Sequence, residues 1–217
     1  CDGLLNQRLD TPYIKYNGKF EKASWNEVFN IIKSKFKNAD KEKICGITGD
    51  LINMETLYIF KEFFNKTLGS YNIESRSDHA YLNPGKRENY LFNSSMNGIE
   101  EADFILLIGS NPRYEATILN ARIRKSYMQN KIKIVSLNDI GDLTYPYEAL
   151  NGDTENIKDI VENNHEISKL IKNAKKPLIL FGQSALRSNS SKYMFESIKS
   201  FLNKNNKISK EWNSLNI

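Results

Sequence analysis

At 217 residues the chain has room for one large α/β domain, or for one domain and part of a second. Hydrophobic residues make up 40% and charged residues 26%, a globular composition, and no apolar run approaches the ~20 residues of a membrane span. The net charge of +5 comes from scattered lysines. With no basic stripe interleaved with aromatics and no zinc spacing, it reads as a basic soluble surface rather than a nucleic-acid interface.

The two cysteines, Cys1 and Cys45, have no CxxC or metal-ligand spacing, and a buried, reduced Cys45 is expected. The chain opens on Cys rather than Met, without an apolar signal peptide or an Arg/Ser-rich transit segment, so its start reads as a processed or excised end.

In chain order, Leu9–Phe20 carries Pro12 and the Asn17-Gly18 turn signal and reads as a hairpin. Ser24 is an N-cap candidate, with Glu27 at the third rather than the fourth place of a strict capping box. Val28, Ile31, Ile32 and Phe36 follow at helical spacing to about Lys37. Lys43–Thr48 is a short apolar strand. Met54–Thr67 is an amphipathic helix ended by Gly69, and Tyr71–Ile73 is a second short strand. Ser75–Leu91 is polar and irregular. Phe104–Ile108 is a buried strand, and a helix runs from Pro112 at its first turn to about Gln129. Lys131–Leu137 is the next strand and Asn138–Asp153 a loop. Helices near Thr154–Glu162 and Glu166–Ala174, a strand at Pro177–Gly182 and a helix at Lys192–Asn203 complete the pattern. The tail Asn205–Ile217 is polar and reads as incomplete structure.

Strands alternating with helices predict an α/β fold, a three-layer Rossmann-like parallel sheet with helices on both faces, incomplete at the C-terminus. The expected divisions are 1–40 (opening segment and first helix), 41–150 (Rossmann-like domain) and 151–217 (start of a second α/β segment).

The turn Gly109-Ser110-Asn111-Pro112 lies after a strand and before a helix, at the carboxyl edge where parallel sheets bind ligands. A helix N-terminus there offers N–H groups to an anion. The turn is neither GxGxxG nor a P-loop. Two readings stand: a phosphate site, or a strand–helix turn shaped by Gly109 and capped by Ser110 or Asn111. Arg113, Arg122, Arg124 and Lys125 are either a docking face or a salt-bridged helix face. Glu100, Glu101 and Asp103 are either paired acids or residues flanking a turn. Gln183-Ser184 after Gly182 lacks the closing glycine of a nucleophile elbow. His79 and His165 belong to no triad.

"GSNPRYEA" resembles the GxNPxxxxP loop of the molybdopterin oxidoreductase family, which in that family lies beside the guanine-dinucleotide arm of the molybdenum cofactor. The opening "CDGLLNQRLDTPYIKYNGKFEKASWNEVFNII" is similar to that family's first segment. "NYLFNSSMNGIEEADFILLIGSNPRYEATILNARIRKSYM", "DLTYPYEAL" and "AKKPLILFGQSAL" resemble one branch, the large iron–sulphur subunits of respiratory complex I, the NADH:ubiquinone oxidoreductase. The resemblance covers essentially the whole chain, and "EWNSLNI" resembles a mid-chain stretch of those subunits.

In catalytic members of the family a Cys, selenocysteine, Ser or Asp ligates molybdenum, often in an R-x-C-H context. The matching place is Arg76-Ser77-Asp78-His79, which puts Asp78 where a softer thiolate is usual. Asn138-Asp139 stands where the family often has D-P, and Thr117 stands where the loop usually carries Pro. The resemblance thus implies a cofactor-free domain, with Gly109, Ser110, Asn111 and Pro112 as a vestigial loop and Asp78 as a vestigial ligand position. No catalytic residue is expected. The iron–sulphur cysteine sets of the complex I subunit are absent, and two cysteines cannot hold a four-thiolate cluster.

The implied role is structural, supporting electron transfer from NADH to ubiquinone. Implied partners are the iron–sulphur domain of the same subunit and other subunits of the hydrophilic arm. The implied place is the matrix side of the mitochondrial inner membrane, or the cytoplasmic face of a bacterial plasma membrane. Two rivals are part of a catalytic, formate dehydrogenase-like molybdopterin enzyme and a free nucleotide-binding module using the Gly109 turn.

Overall fold

The computed structural model describes all residues except Cys1, Gln7, Asp50, Arg76, Ser77 and Asp153, so Cys1, Arg76 and Ser77, singled out in the sequence, lie outside the described residues. The chain forms two compact units, Cys1–Ser77 and Asp78–Ile217.

In the first unit a single turn, α1 (Asp2–Leu5), precedes the hairpin β1 (Tyr13–Tyr16) and β2 (Lys19–Lys22). Asn17 and Gly18 both take positive φ, at 45° and 86°, which matches the right-handed twist of the flanking strands. In α2 (Trp25–Lys37) the Ser24 hydroxyl accepts from Glu27 N, and the Glu27 carboxylate accepts from Ser24 N. Glu27 is therefore the third residue of the helix, and the full capping box forms, correcting the expected offset.

Two short parallel strands follow, β3 (Gly46–Ile47) and β4 (Ile73–Glu74). They are joined by α3 (Met54–Glu62), which widens into a π-helical turn over Phe63–Leu68 and ends on Gly69 at φ 68°. A Cβ at Gly46 would overlap the Phe60 and Phe64 rings, so this glycine lets α3 lie directly on β3. Cys45 is exposed rather than buried, because Ile44 and Gly46 turn inward and residues between them face the other way.

The second unit is built on a five-stranded parallel sheet in the order β7-β6-β5-β8-β9. β5 (Phe104–Ile108) is fully buried and central. The helix expected from Pro112 is two helices, α4 (Pro112–Glu115) and α5 (Thr117–Asn130), reset at Ala116. β6 (Lys133–Ser136) pairs with β5, and β7 (Glu148–Ala149) lies within the segment expected to be all loop. After α6 (Thr154–Glu162) and α7 (Glu166–Asn173) the chain crosses to the other side of β5 and enters β8 (Pro177–Phe181). Then come α8 (Gln183–Arg187), α9 (Ser191–Lys204) and β9 (Leu215–Asn216).

Alternate residues of the central strands feed two cores. Phe104, Leu106 and Ile108 pack with α6, α7 and α9. Ile105 and Leu107 pack with Leu119 and Ile123 of α5. The fold is thus α/β with helices on both faces of a parallel sheet, as the sequence pattern predicts. The division is not the expected one. β8 pairs residue for residue with β5, so residues 104–150 and 151–217 share one sheet and one boundary falls at 77/78. The tail is also part of the fold: Leu215 and Asn216 are fully buried, and β9 pairs with β8.

Candidate functional site

Strand order reverses at β5: the chain steps to β6 and β7 on one side, then to β8 and β9 on the other. In such sheets the crevice beyond the carboxyl ends of the two strands flanking the reversal is where ligands bind. Here that place holds the turns after β5 and β8, which begin at Gly109 and Gly182.

The two turns pack backbone to backbone. Gly182 N donates to Ile108 O at 2.9 Å, and the Gly109 carbonyl accepts from Ser184 N at 3.2 Å and Ser184 Oγ at 2.7 Å. A Cβ on Gly109 would overlap the backbone N and Cβ of Ala185, and one on Gly182 would overlap Gly109 O and Ser110. Gly109 also sits at φ 61°. Among the described residues a cleft of about 90 Å³ lies here, lined by Leu137, Asn138, Ser184, Ser188 and Met194 among others. Small-molecule sites typically run to ~300–1,000 Å³.

Two N–H groups of this turn are engaged. Asn111 N donates to the Glu115 carboxylate at 2.6 Å, and Asn111 Oδ1 accepts from Arg113 N at 3.2 Å. Ser110 is buried, and Pro112 brings no N–H. A carboxylate from the same helix thus takes the Asn111 N–H that a free anion would meet.

Asp78 lies at the same edge. One carboxylate oxygen accepts from Ala80 N at 3.2 Å and the other from Gln183 Nε2 at 2.8 Å. Through Gln183 and Ser184, the first turn of α8 bonds to both candidate features, and sequence reasoning missed α8 altogether. No group of three or more His, Cys, Asp or Glu that could hold a metal occurs among the described residues. His79 is exposed at φ 55°, and His165 is the N-cap of α7, its Nδ1 accepting from Ile167 N.

The loop after β6 closes the edge from the other side. Asn111 Nδ2 donates to Ile140 O at 2.8 Å, and Arg113 Nη1 donates to Asp142 O and to its carboxylate at 2.6 Å. Asn120 donates to Leu143 O and accepts from Tyr145 OH. Burial pushes the Tyr145 phenol well up. The Thr144 N–H, then Arg113, hold the Asp142 carboxyl below its usual range. The Gly141 N–H, then the Tyr147 hydroxyl, do the same for Asp139.

The basic residues of α4 and α5 are committed within this unit. Arg122 and Lys125 pair with Glu100, and Arg124 Nε donates to Thr144 O. Lys125, then Arg122, lower the Glu100 carboxyl. Asp103 accepts from Lys175 N and Lys176 N, and Glu101 pairs with Lys176. Glu100, Glu101 and Asp103 thus fasten turns, the second of the two readings of these acids.

A family model described as molybdopterin oxidoreductase matches residues 8–217. Over the whole chain the protein is 35% identical to the NADH-ubiquinone oxidoreductase 75 kDa subunit of Reclinomonas americana. It is 36% identical to an NADH-quinone oxidoreductase subunit of Rickettsia prowazekii and to the NADH-ubiquinone oxidoreductase 78 kDa subunit of Neurospora crassa. It covers 33%, 32% and 30% of these relatives, so the chain spans about a third of the length of the curated relatives it matches. With the doubly wound sheet, the turn at Gly109 and a model match over nearly its full length, the chain belongs to the molybdopterin oxidoreductase family.

Proposed function

We propose that this chain is a structural, cofactor-free domain of the large iron–sulphur subunit of respiratory complex I. It braces the iron–sulphur domain and neighbouring subunits of the hydrophilic arm while the assembled enzyme passes electrons from NADH to ubiquinone. The observation that carries the reading is the closure of the switch-point crevice by α8, with Ser184 and Ala185 seated against the Gly109 turn. A sheet that fills its ligand crevice with its own backbone keeps the scaffold and leaves little room for a dinucleotide arm.

Further support comes from the relatives, whose names are those of NADH-ubiquinone and NADH-quinone oxidoreductase subunits. Both carboxylate oxygens of Asp78 are already engaged, by Ala80 N and Gln183 Nε2, where a metal ligand would keep one free. No described helix is long and apolar enough to cross a membrane. The place proposed for the chain is the inner membrane's matrix side, or a bacterial membrane's cytoplasmic face.

Gentle extraction of source membranes, with NADH:ubiquinone reductase activity followed through separation by size, tests this. The chain is expected to migrate with that activity and with iron–sulphur subunits. Migration with a formate- or nitrate-reducing activity would overturn the assignment. Asp78→Asn is expected to leave NADH oxidation by the assembly unchanged.

A further inference from the structure

The sequence holds three Asn-Gly pairs, Asn17-Gly18, Asn97-Gly98 and Asn151-Gly152. In such a pair the backbone can attack the side chain before it, because glycine has no Cβ to obstruct the approach of its nitrogen. A given pair reacts when the glycine N–H is free and the asparagine can rotate toward it. The fold treats the three pairs differently.

Asn17-Gly18 is exposed, but it is the turn of a hairpin. Both residues hold positive φ, and Tyr16 pairs with Lys19 across them. Bringing Gly18 N onto the Asn17 side chain would rotate the peptide between them out of the turn and part Tyr16 from Lys19. Asn97-Gly98 is held in another way. Gly98 is buried, its N–H donates to Ser95 Oγ at 3.2 Å, and Asn97 O accepts from Glu100 N at 3.1 Å.

Asn151-Gly152 has neither restraint. The ladder bond before it runs from Leu150 N to Ser136 O, and α6 begins at Thr154. Both residues are exposed. Neither N–H, nor the Asn151 side chain, has a hydrogen-bond partner among the described residues. The Gly152 carbonyl accepts from Asn156 Nδ2 at 3.0 Å, which leaves its nitrogen unengaged.

We propose that Asn151 is a site of spontaneous deamidation through a cyclic imide with Gly152. The Gly152 nitrogen gives its proton to solvent base and bonds to Asn151 Cγ, and the side-chain amide takes up a proton and leaves as ammonia. Water then opens the imide at either carbonyl, giving aspartate or isoaspartate. No electrons are transferred, and water is the only co-reactant. The product puts a new carboxylate ahead of α6, at the helix end whose N–H groups favour negative charge. As isoaspartate it also adds a methylene to the main chain between β7 and α6. The argument rests on this chain's own hydrogen bonds and needs no partner.

Timed incubation of the full chain in mildly alkaline buffer, followed by peptide mapping with mass spectrometry, tests it. The Asn151 peptide is expected to convert at least ~10-fold faster than the Asn17 and Asn97 peptides in the native chain. In urea, where the fold no longer distinguishes the pairs, the three rates are expected to converge. Asn151→Ser is expected to keep the melting temperature and to remove the first acidic species seen on ion exchange. Conversion at Asn17 or Asn97 as fast as at Asn151 in the native chain, the same spread of rates in urea, or an unchanged first acidic species in Asn151→Ser would overturn the proposal.

Discussion

Gly109 holds φ at 61°, and a methyl group on its α-carbon would run into the backbone of Ala185. Both penalties fall on one substitution, so Gly109→Ala is expected to cost about 3 kcal/mol of unfolding free energy, read by urea denaturation. Gly141 is the control. Its φ is 75°, yet nothing lies within 4 Å of an added Cβ, so Gly141→Ala is expected to cost only about 1 kcal/mol. Equal costs would mean that the two turns do not press together. Glu100 gives a pH signature. Lys125 and Arg122 lower its folded pKa below the ordinary 4.5, so its contribution is complete above that value and lost as pH falls through the folded pKa. Glu100→Gln is therefore expected to be less stable than the parent at pH 7, with the two converging only as pH falls through the lowered folded pKa. Parallel pH–stability curves would remove the ion pair from the account.

At the scale of elements, long periodic segments were legible and short non-local ones were not. β5 and α6 fall where a continuous apolar run and helical periodicity put them, because each carries its own burial pattern. α8 has five residues, too few for a periodic signal, and β9 has two. β9 is held by partners far away in sequence: Ser94 N donates to Asn216 Oδ1, and Asn216 Nδ2 donates to Ser94 Oγ, across 122 positions. A polar tail became a buried strand because that network satisfies its amide, which no local reading reveals. Leu215→Ala is expected to cost about 3 kcal/mol, as for a buried leucine in a closed core. A loss near zero would mean that the tail is not part of the cooperative unit. The break at Ala116 has a similar origin: Asn111 and Arg113 bond to the loop after β6, which pins α4 as a separate turn.

For the whole molecule, the ligand edge was legible because Gly109 sits between a buried strand and a helix. What fills it was not, since Ser184 arrives from 75 positions away. Family resemblance located the Asp78 and Gly109 features separately, and the fold adds that one short helix bonds to both. In the first unit α2 has no buried residue, whereas the second unit buries its central strands completely. The central claim is that the molybdopterin scaffold here serves as a brace and carries no molybdenum cofactor. Elemental mass spectrometry on the chain, purified natively with its partners and then separated from them, tests this most directly. The account predicts no molybdenum above the blank and iron confined to cluster-bearing polypeptides. Near-stoichiometric molybdenum on this chain, lost in Asp78→Ala, would contradict it.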